Sequence, residues 1–119
     1  MFMFSFIEEK DGDEIIYKLL VDNLIVASAK TLSYSFLMNI YTTQSEKRNG
    51  YGKQLLNHIE AIAKNHNVNT METTDIDSKS LEAVAFFTSM NYELIPIKDD
   101  VQFLEGTKNL KHTSENEEK

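Results

Sequence analysis

Phe2, Phe4 and Phe6 alternate with less bulky residues at the start of the chain, the period-2 signature of a half-buried strand over about residues 2–9. Asp11-Gly12-Asp13 is a turn signal, and the β-rich stretch Glu14 to Val21 follows it directly, so the two runs predict a hairpin. Asp22-Asn23 parts this stretch from Leu24 to Ala29, another apolar run of strand length. Between residues 34 and 42, alternation assigns Tyr34, Phe36, Met38, Ile40 and Thr42 to one face and Ser35, Leu37, Asn39 and Tyr41 to the other. The first half is therefore expected to be an antiparallel meander of four strands.

The period changes after Gly52. Leu55, Leu56, Ile59, Ile62 and Ala63 recur at helical spacing, which turns Gln54, Asn57, Glu60 and Lys64 to solvent, and the helix is expected to stop near Asn65-His66-Asn67. Val68 to Thr74 predicts a strand. Asp77 or Ser78 can cap a second helix carrying Leu81, Val84, Ala85, Phe86, Phe87 and Met90, with Asn91 as its stop. Tyr92 to Ile95 and Val101 to Leu104 predict two short closing strands. The expected fold is α/β (α+β): a mostly antiparallel mixed sheet of six or seven strands with two principal helices, in one domain over residues 1–105. Residues 106–119 are polar and expected to form a disordered tail.

Composition narrows the chemistry. A chain of 119 residues, 41% of them hydrophobic, suits a single core. The absence of cysteine excludes a disulfide framework, a zinc–thiolate site and cysteine nucleophile chemistry, and points to the cytoplasm. The apolar opening Met1 to Ile7 lacks a basic leader and is far shorter than a membrane span. A formal net charge of −7 repels nucleic acid on average. Glu8, Glu9, Asp11, Asp13 and Glu14 crowd one turn, whereas Lys47, Arg48 and Lys53 form a cationic cluster that stands out from this acidic background.

That cluster has a telling position. Lys47-Arg48-Asn49-Gly50-Tyr51-Gly52 lies between the fourth predicted strand and the first helix. A Gly-rich turn feeding a helix gathers free backbone N–H groups and the positive end of the helix dipole around one point, which attracts phosphate. Gly50 and Gly52 let the backbone approach a ligand, and Lys47, Arg48 and Lys53 supply charge. From the hexapeptide alone, an ordinary strand-to-helix turn remains the alternative. Neither the P-loop ending Gly-Lys-Ser/Thr nor the three-glycine dinucleotide fingerprint is present.

With the order of elements, these residues resemble the GNAT superfamily of acetyl-coenzyme A-dependent N-acetyltransferases, over roughly Ile40 to Leu94. Lys47 to Gly52 is similar to that family's Arg/Gln-x-x-Gly-x-Gly/Ala, with Lys at the first position, and Leu81 to Glu93 resembles its Asn-x-x-Ala-x-x-Phe-Tyr-x-x-x-Gly-Phe helix and turn. The resemblance implies a sheet that splays open after its fourth strand, with the acyl donor acetyl-CoA in the split. Main-chain groups of Ile40, Tyr41 and Thr42 would pair with the pantetheine arm. Lys47, Arg48, Asn49, Gly50, Tyr51, Gly52 and Lys53 would hold the pyrophosphate, and Ser80 and Phe87 would complete the cofactor contacts. The implied activity is transfer of an acetyl group to a primary amine, with a base for the ammonium and an acid for the departing thiolate.

The departures bear on catalysis. Phe87 occupies the position of a proton-donating tyrosine and cannot donate. Asn39 stands where a glutamate base sometimes lies, Ser80 where asparagine begins the helix, and Asn91-Tyr92 replaces Gly-Phe. Glu72, on the strand beside the expected split, is nominated as base, with Tyr41 as a second catalytic candidate. Tyr51 and His58 are further candidates, the alternatives being a packed or surface aromatic for Tyr51 and a half-exposed helix residue for His58. No metal ligand set is assigned. The family's two helices between the first and second strands are reduced to the turn at residues 11–13, which leaves the acceptor side open with an acidic rim, suited to a cationic acceptor such as a protein lysine or N-terminus. The alternative is an acyl-CoA-binding or protein-interaction module that has lost its acid. Strand edges could also pair with a second copy to give a homo-dimer.

Overall fold

The computed structural model describes residues 3–43 and 50–110. Its elements run β1 (Phe4–Asp11), β2 (Glu14–Val21), β3 (Leu24–Leu32), β4 (Phe36–Thr42), α1 (Tyr51–Asn65), β5 (Thr70–Asp77), α2 (Leu81–Ser89), β6 (Glu93–Ile97) and β7 (Asp100–Asn109). They form one seven-stranded sheet in the order β1-β2-β3-β4-β5-β7-β6. The expected meander is present: β1 to β4 pair antiparallel in sequence order. Asp22 and Asn23 turn β2 into β3 with φ of 52° and 71°, the left-handed pair that a two-residue hairpin requires.

Among the described residues, only the β4–β5 pairing is parallel. It holds for two residue pairs, Phe36 with Glu72 and Leu37 with Thr73, after which the strands share no further register. The sheet is therefore two antiparallel halves joined at a short vertex.

All core strand residues face one side of this sheet. Ile15, Tyr17 and Leu19 from β2, Ala27 and Ala29 from β3, Leu37 from β4, and Met71 and Ile76 from β5 pack with Leu55, Leu56 and Ile59 of α1 and Phe87 of α2. Both helices thus cover the same face, as two right-handed crossovers in the same direction dictate. The opposite face carries no helix among the described residues. It is exposed or half-exposed at Ile25, Leu32, Tyr41 and Ile95, and is crossed by the ion pairs Lys18–Glu9 and Lys30–Glu14.

Four sequence expectations are corrected. The faces of β4 are mixed, because Lys30 pairs with Asn39 but Thr31 with Leu37, leaving Met38 as the extra residue of a bulge. The bulge resets the alternation, so buried Leu37 shares the helix-covered face with Ile40 and Thr42, which stand opposite Ala29 and Ala27. Glu60 is 5% exposed rather than solvent-facing. Helix α2 is capped by Ser80, whose hydroxyl accepts from the Ala83 N–H at 3.2 Å, because β5 continues to Asp77. Finally, β7 extends beyond residue 105 to Asn109. Glu72, Met71 and Thr70 pair with Thr107, Lys108 and Asn109, and Leu110 is 3% exposed. The rest of the expected tail, residues 111–119, lies outside the described residues.

Candidate functional site

The parting of β4 from β5 creates the site. The Thr43 N–H donates to the Val26 carbonyl at 3.1 Å, so that residue turns its backbone toward β3. Backbone groups alternate direction along a strand, and those of Ile40 and Thr42 therefore point into the gap on the β5 side. No strand residue among those described answers them. A half-unpaired strand edge inside a sheet is a ready partner for an extended ligand carrying amides.

At the vertex, the buried Thr73 hydroxyl donates to the Leu37 carbonyl at 3.0 Å. The Glu72 N–H donates to the Ser35 carbonyl at 2.9 Å, fixing the start of the gap. Glu72 itself is exposed and lies beside Phe36 on the helix-free face, as does Asn39, which stands opposite Lys30. Tyr41, 61% exposed and opposite Ser28, is on that face too. The two catalytic candidates thus share one side of the sheet, flanking the gap from β5 and β4.

The open end of the gap meets the start of α1. Gly50 is its N-cap, with φ +78°, and provides no side-chain cap. The first backbone bond of the helix runs from the Gln54 N–H to the Gly50 carbonyl at 3.0 Å, so the N–H groups of Tyr51, Gly52 and Lys53 find no acceptor among the described residues. The first turn contains no acidic residue. By contrast, the α2 start is satisfied by Ser80 and carries Glu82. These are the requirements for holding an anion: free N–H groups, a dipole end, and no competing carboxylate.

Gly50 and Gly52 serve different ends. A Cβ on Gly50 would meet nothing within 4 Å, and its glycine is needed for the left-handed backbone. A Cβ on Gly52 would lie 3.2 Å from Phe86 Cε1 and 3.5 Å from Thr42 Cγ2. Gly52 therefore lets α2, β4 and α1 converge at the open end of the gap. Tyr51 is half-buried and meets the Phe4 ring edge-on, with centroids 6.4 Å apart. Lys53 is exposed in the first turn of α1. Lys47, Arg48 and Asn49 lie outside the described residues.

The remaining sequence candidates have structural duties. Ser80 spends its hydroxyl on the cap. Phe87 is 7% exposed and packs edge-on against Phe86 and Tyr92, at centroid distances of 5.1 and 5.4 Å. His58 stacks flat on Phe6 at 3.9 Å, and burial lowers its pKa from the usual histidine range. It braces β1 against α1. Phe86, given no site role by the sequence, is the ring that reaches Gly52; two adjacent phenylalanines give no periodic signal to tell which would do so. A second recess, a polar depression of about 510 Å³ whose lining includes Asn69, Asn91 and Lys108, lies at the closed end of the second half-sheet.

A strand parted from its parallel neighbour, with an uncapped helix start at the mouth of the gap, is the arrangement that the family resemblance implies. The sequence profile described as the acetyltransferase (GNAT) family matches residues 6–92. The chain belongs to this family. Solved structures share its fold. The ribosomal-protein-S18-alanine N-acetyltransferase of Escherichia coli superposes with a TM-score of 0.73 at 19% identity, over 90% of this chain and 76% of that one. A Bacillus subtilis acetyltransferase in complex with CoA gives 0.74 at 10% identity, over 90% and 99%. The PaiA N-acetyltransferase of Thermoplasma acidophilum, also in complex with coenzyme A, gives 0.73 at 13% identity. Here the match covers 82% of this chain and 61% of that longer protein. No curated protein is detectably similar in sequence. Among the described residues, no helix of this family member is long and apolar enough to cross a membrane.

Proposed function

We propose that this GNAT protein is an N-acetyltransferase that binds acetyl-CoA between β4 and β5 and transfers the acetyl group to a primary amine. The observation that carries the reading is the start of α1, which has no side-chain cap, no acid in its first turn and three N–H groups unanswered among the described residues, at the mouth of a gap whose β4 edge has no partner among them. Gly50, Tyr51, Gly52 and Lys53 hold the pyrophosphate, together with Lys47, Arg48 and Asn49 in the preceding segment. Ile40 and Thr42 pair their backbone with the pantetheine amides, and Phe86 forms the wall beside Thr42. Tyr41 flanks the arm from the helix-free face.

When bound, acetyl-CoA supplies an activated thioester open to attack by an amine. Glu72, on the helix-free side of the vertex, takes the proton from the incoming ammonium, and Tyr41 offers a phenol on that face for the departing thiolate. Met38, left unpaired by the bulge, presents main-chain groups at the vertex where charge develops on the carbonyl oxygen.

The acceptor is cationic, and the site is open to a protein lysine or N-terminus. Support comes from the β5–β7–β6 half of the helix-free face. Glu72 and Glu93 flank Thr107 there, Glu105 pairs with Ile95, and Asp77 with Phe103; none of these carboxylates has an ion-pair partner among the described residues. This patch, rather than the turn at residues 11–13, supplies the acidic rim. That turn begins β2, three strand spacings or about 14 Å from Glu72.

A second reading is favoured by Phe87 and Asn39, which remove the family's usual acid and base: an acyl-CoA-binding module without turnover. Release of CoA thiol from acetyl-CoA in the presence of polyamines, lysine-bearing peptides and small neutral amines separates the two. Thiol release with cationic acceptors supports the transferase. CoA binding without any release leaves the module, and turnover of neutral amines alone overturns the cationic acceptor.

A further inference from the structure

The two half-sheets share one core but only a short ladder. α1 packs on β2, β3 and β4, α2 packs on β5 and β6, and the halves meet as strands only at Phe36–Glu72 and Leu37–Thr73. A two-residue ladder is a hinge, and rotation about it widens or narrows the gap between residues 38–42 and 74–77.

Besides the shared core, two contacts on the helix-covered face bear on that rotation. One is apolar, Phe86 of α2 against Gly52 of α1 near the open end. The other is polar and lies on the far side of the vertex. Glu60 of α1, 5% exposed, uses both carboxylate oxygens: the Tyr92 hydroxyl donates to Oε2 at 2.7 Å, and the Lys108 ammonium donates to Oε1 at 2.7 Å. Lys108 also sits over the Tyr92 ring, 5.7 Å from its centroid. Tyr92 leads into the edge strand β6 and Lys108 belongs to β7, the central strand of the second half, so a single carboxylate of the first half is tied to two segments of the second. Apolar contacts tolerate sliding, whereas charge-assisted hydrogen bonds fix separation to a few tenths of an ångström. A buried carboxylate is weak as a source of net stability compared with apolar packing, but it is strong at fixing geometry.

We infer that Glu60 is a positioning residue that sets the width of the β4–β5 gap, and through it the affinity for CoA. The second part rests on the reading of the gap as the CoA site; the first does not.

The absence of native cysteine permits a direct test on the full chain. Thr43→Cys and Asp77→Cys place spin labels across the open end of the gap, and pulsed electron resonance reads their distance distribution. Calorimetric titration with CoA is run in parallel on the unlabelled chain. The variants are Glu60→Gln, which can still accept from Tyr92 but loses its charge, Lys108→Met, and Tyr92→Phe. Ile15→Val, in the core of the first half and two strands from the junction, is the packing control.

The expected result is a broadened or displaced distance distribution in Glu60→Gln and Lys108→Met, with CoA Kd raised about tenfold as preorganisation is lost. Ile15→Val should change neither quantity. The Glu60→Gln/Lys108→Met double variant should be little worse than either alone, because the two act as one unit. If Glu60→Gln does not fold, Tyr92→Phe carries the same test through the loss of one bond. Unchanged distances in the folded variants, or an equal response in Ile15→Val, would overturn the inference. Altered distances with no CoA binding even by the unsubstituted chain would leave Glu60 as the gap-setting residue and remove the CoA reading instead.

Discussion

The Thr73 hydroxyl donates to the Leu37 carbonyl across 3.0 Å, and beyond that bond β4 and β5 go separate ways. A side chain thus closes the vertex where a longer parallel ladder would otherwise continue. Thr73→Val preserves the shape and removes the donor, so the expected loss is about 1 kcal/mol, the net worth of an ordinary buried hydrogen bond. Urea midpoints at constant m-value measure it. A variant as stable as the parent would show that the vertex does not depend on this bond.

The two glycines should respond differently. Gly50→Ala meets open space but must hold φ near +78°, at a cost of roughly 1–2 kcal/mol, and Gly50→Asn should cost less because asparagine visits that region more readily. Gly52→Val faces Phe86 and Thr42 instead, so its loss should be larger and partly restored by Phe86→Leu. Thermal unfolding of the four variants decides the order.

Alkaline pH should destabilise the fold through buried phenols. Tyr17 is 1% exposed, and burial pushes its pKa up to about 12 from the ordinary value of 10. Tyr92 is raised as well, by burial first and then by the charge and hydrogen bond of Glu60. A raised folded pKa means that the stabilisation is complete below the unfolded pKa and is lost as pH climbs. For Tyr17 the window is pH 10 to 12, with roughly 3 kcal/mol lost across it. Urea midpoints from pH 8 to 12 should fall steeply above 10, and less steeply in Tyr17→Phe. An equal slope in the two proteins would exclude Tyr17 as a source.

Glu72→Gln tests the base. The side chain is exposed, so stability should change by less than about 0.5 kcal/mol, and the CoA Kd should stay the same. Turnover with a cationic acceptor should fall by about 10²-fold or more. A raised acceptor KM with kcat unchanged would make Glu72 a docking carboxylate rather than a base.

Much of this was legible in the chain. Alternation gave the meander, Asp22-Asn23 its second hairpin, and the switch to helical spacing after Gly52 marked α1, with the glycine-bearing turn at its start. What escaped has definite physical causes. A single extra residue, Met38, inverts the apparent faces of β4, and alternation cannot reveal an inserted residue. Glu60 lies on the polar stripe of α1 by periodicity, yet Tyr92 and Lys108 arrive from residues 32 and 48 positions away to bury it. The end of β7 is polar and contains Gly106, so it carries no strand signal; long-range pairing with β5 and β6 makes it a strand. Phe87 follows the family spacing, while its neighbour Phe86 makes the contact at the gap.

The central claim is that CoA lies between β4 and β5 with its pyrophosphate at the start of α1. Amide shift perturbation by nuclear magnetic resonance, on titrating CoA into the full chain, tests it most directly. The account predicts that the amides of Ile40, Thr42, Gly50, Tyr51, Gly52 and Lys53 move together with one saturating curve, while those of Asn69 and Asn91 at the closed end stay in place. Perturbations confined to the closed-end depression, or none at millimolar CoA, would contradict it.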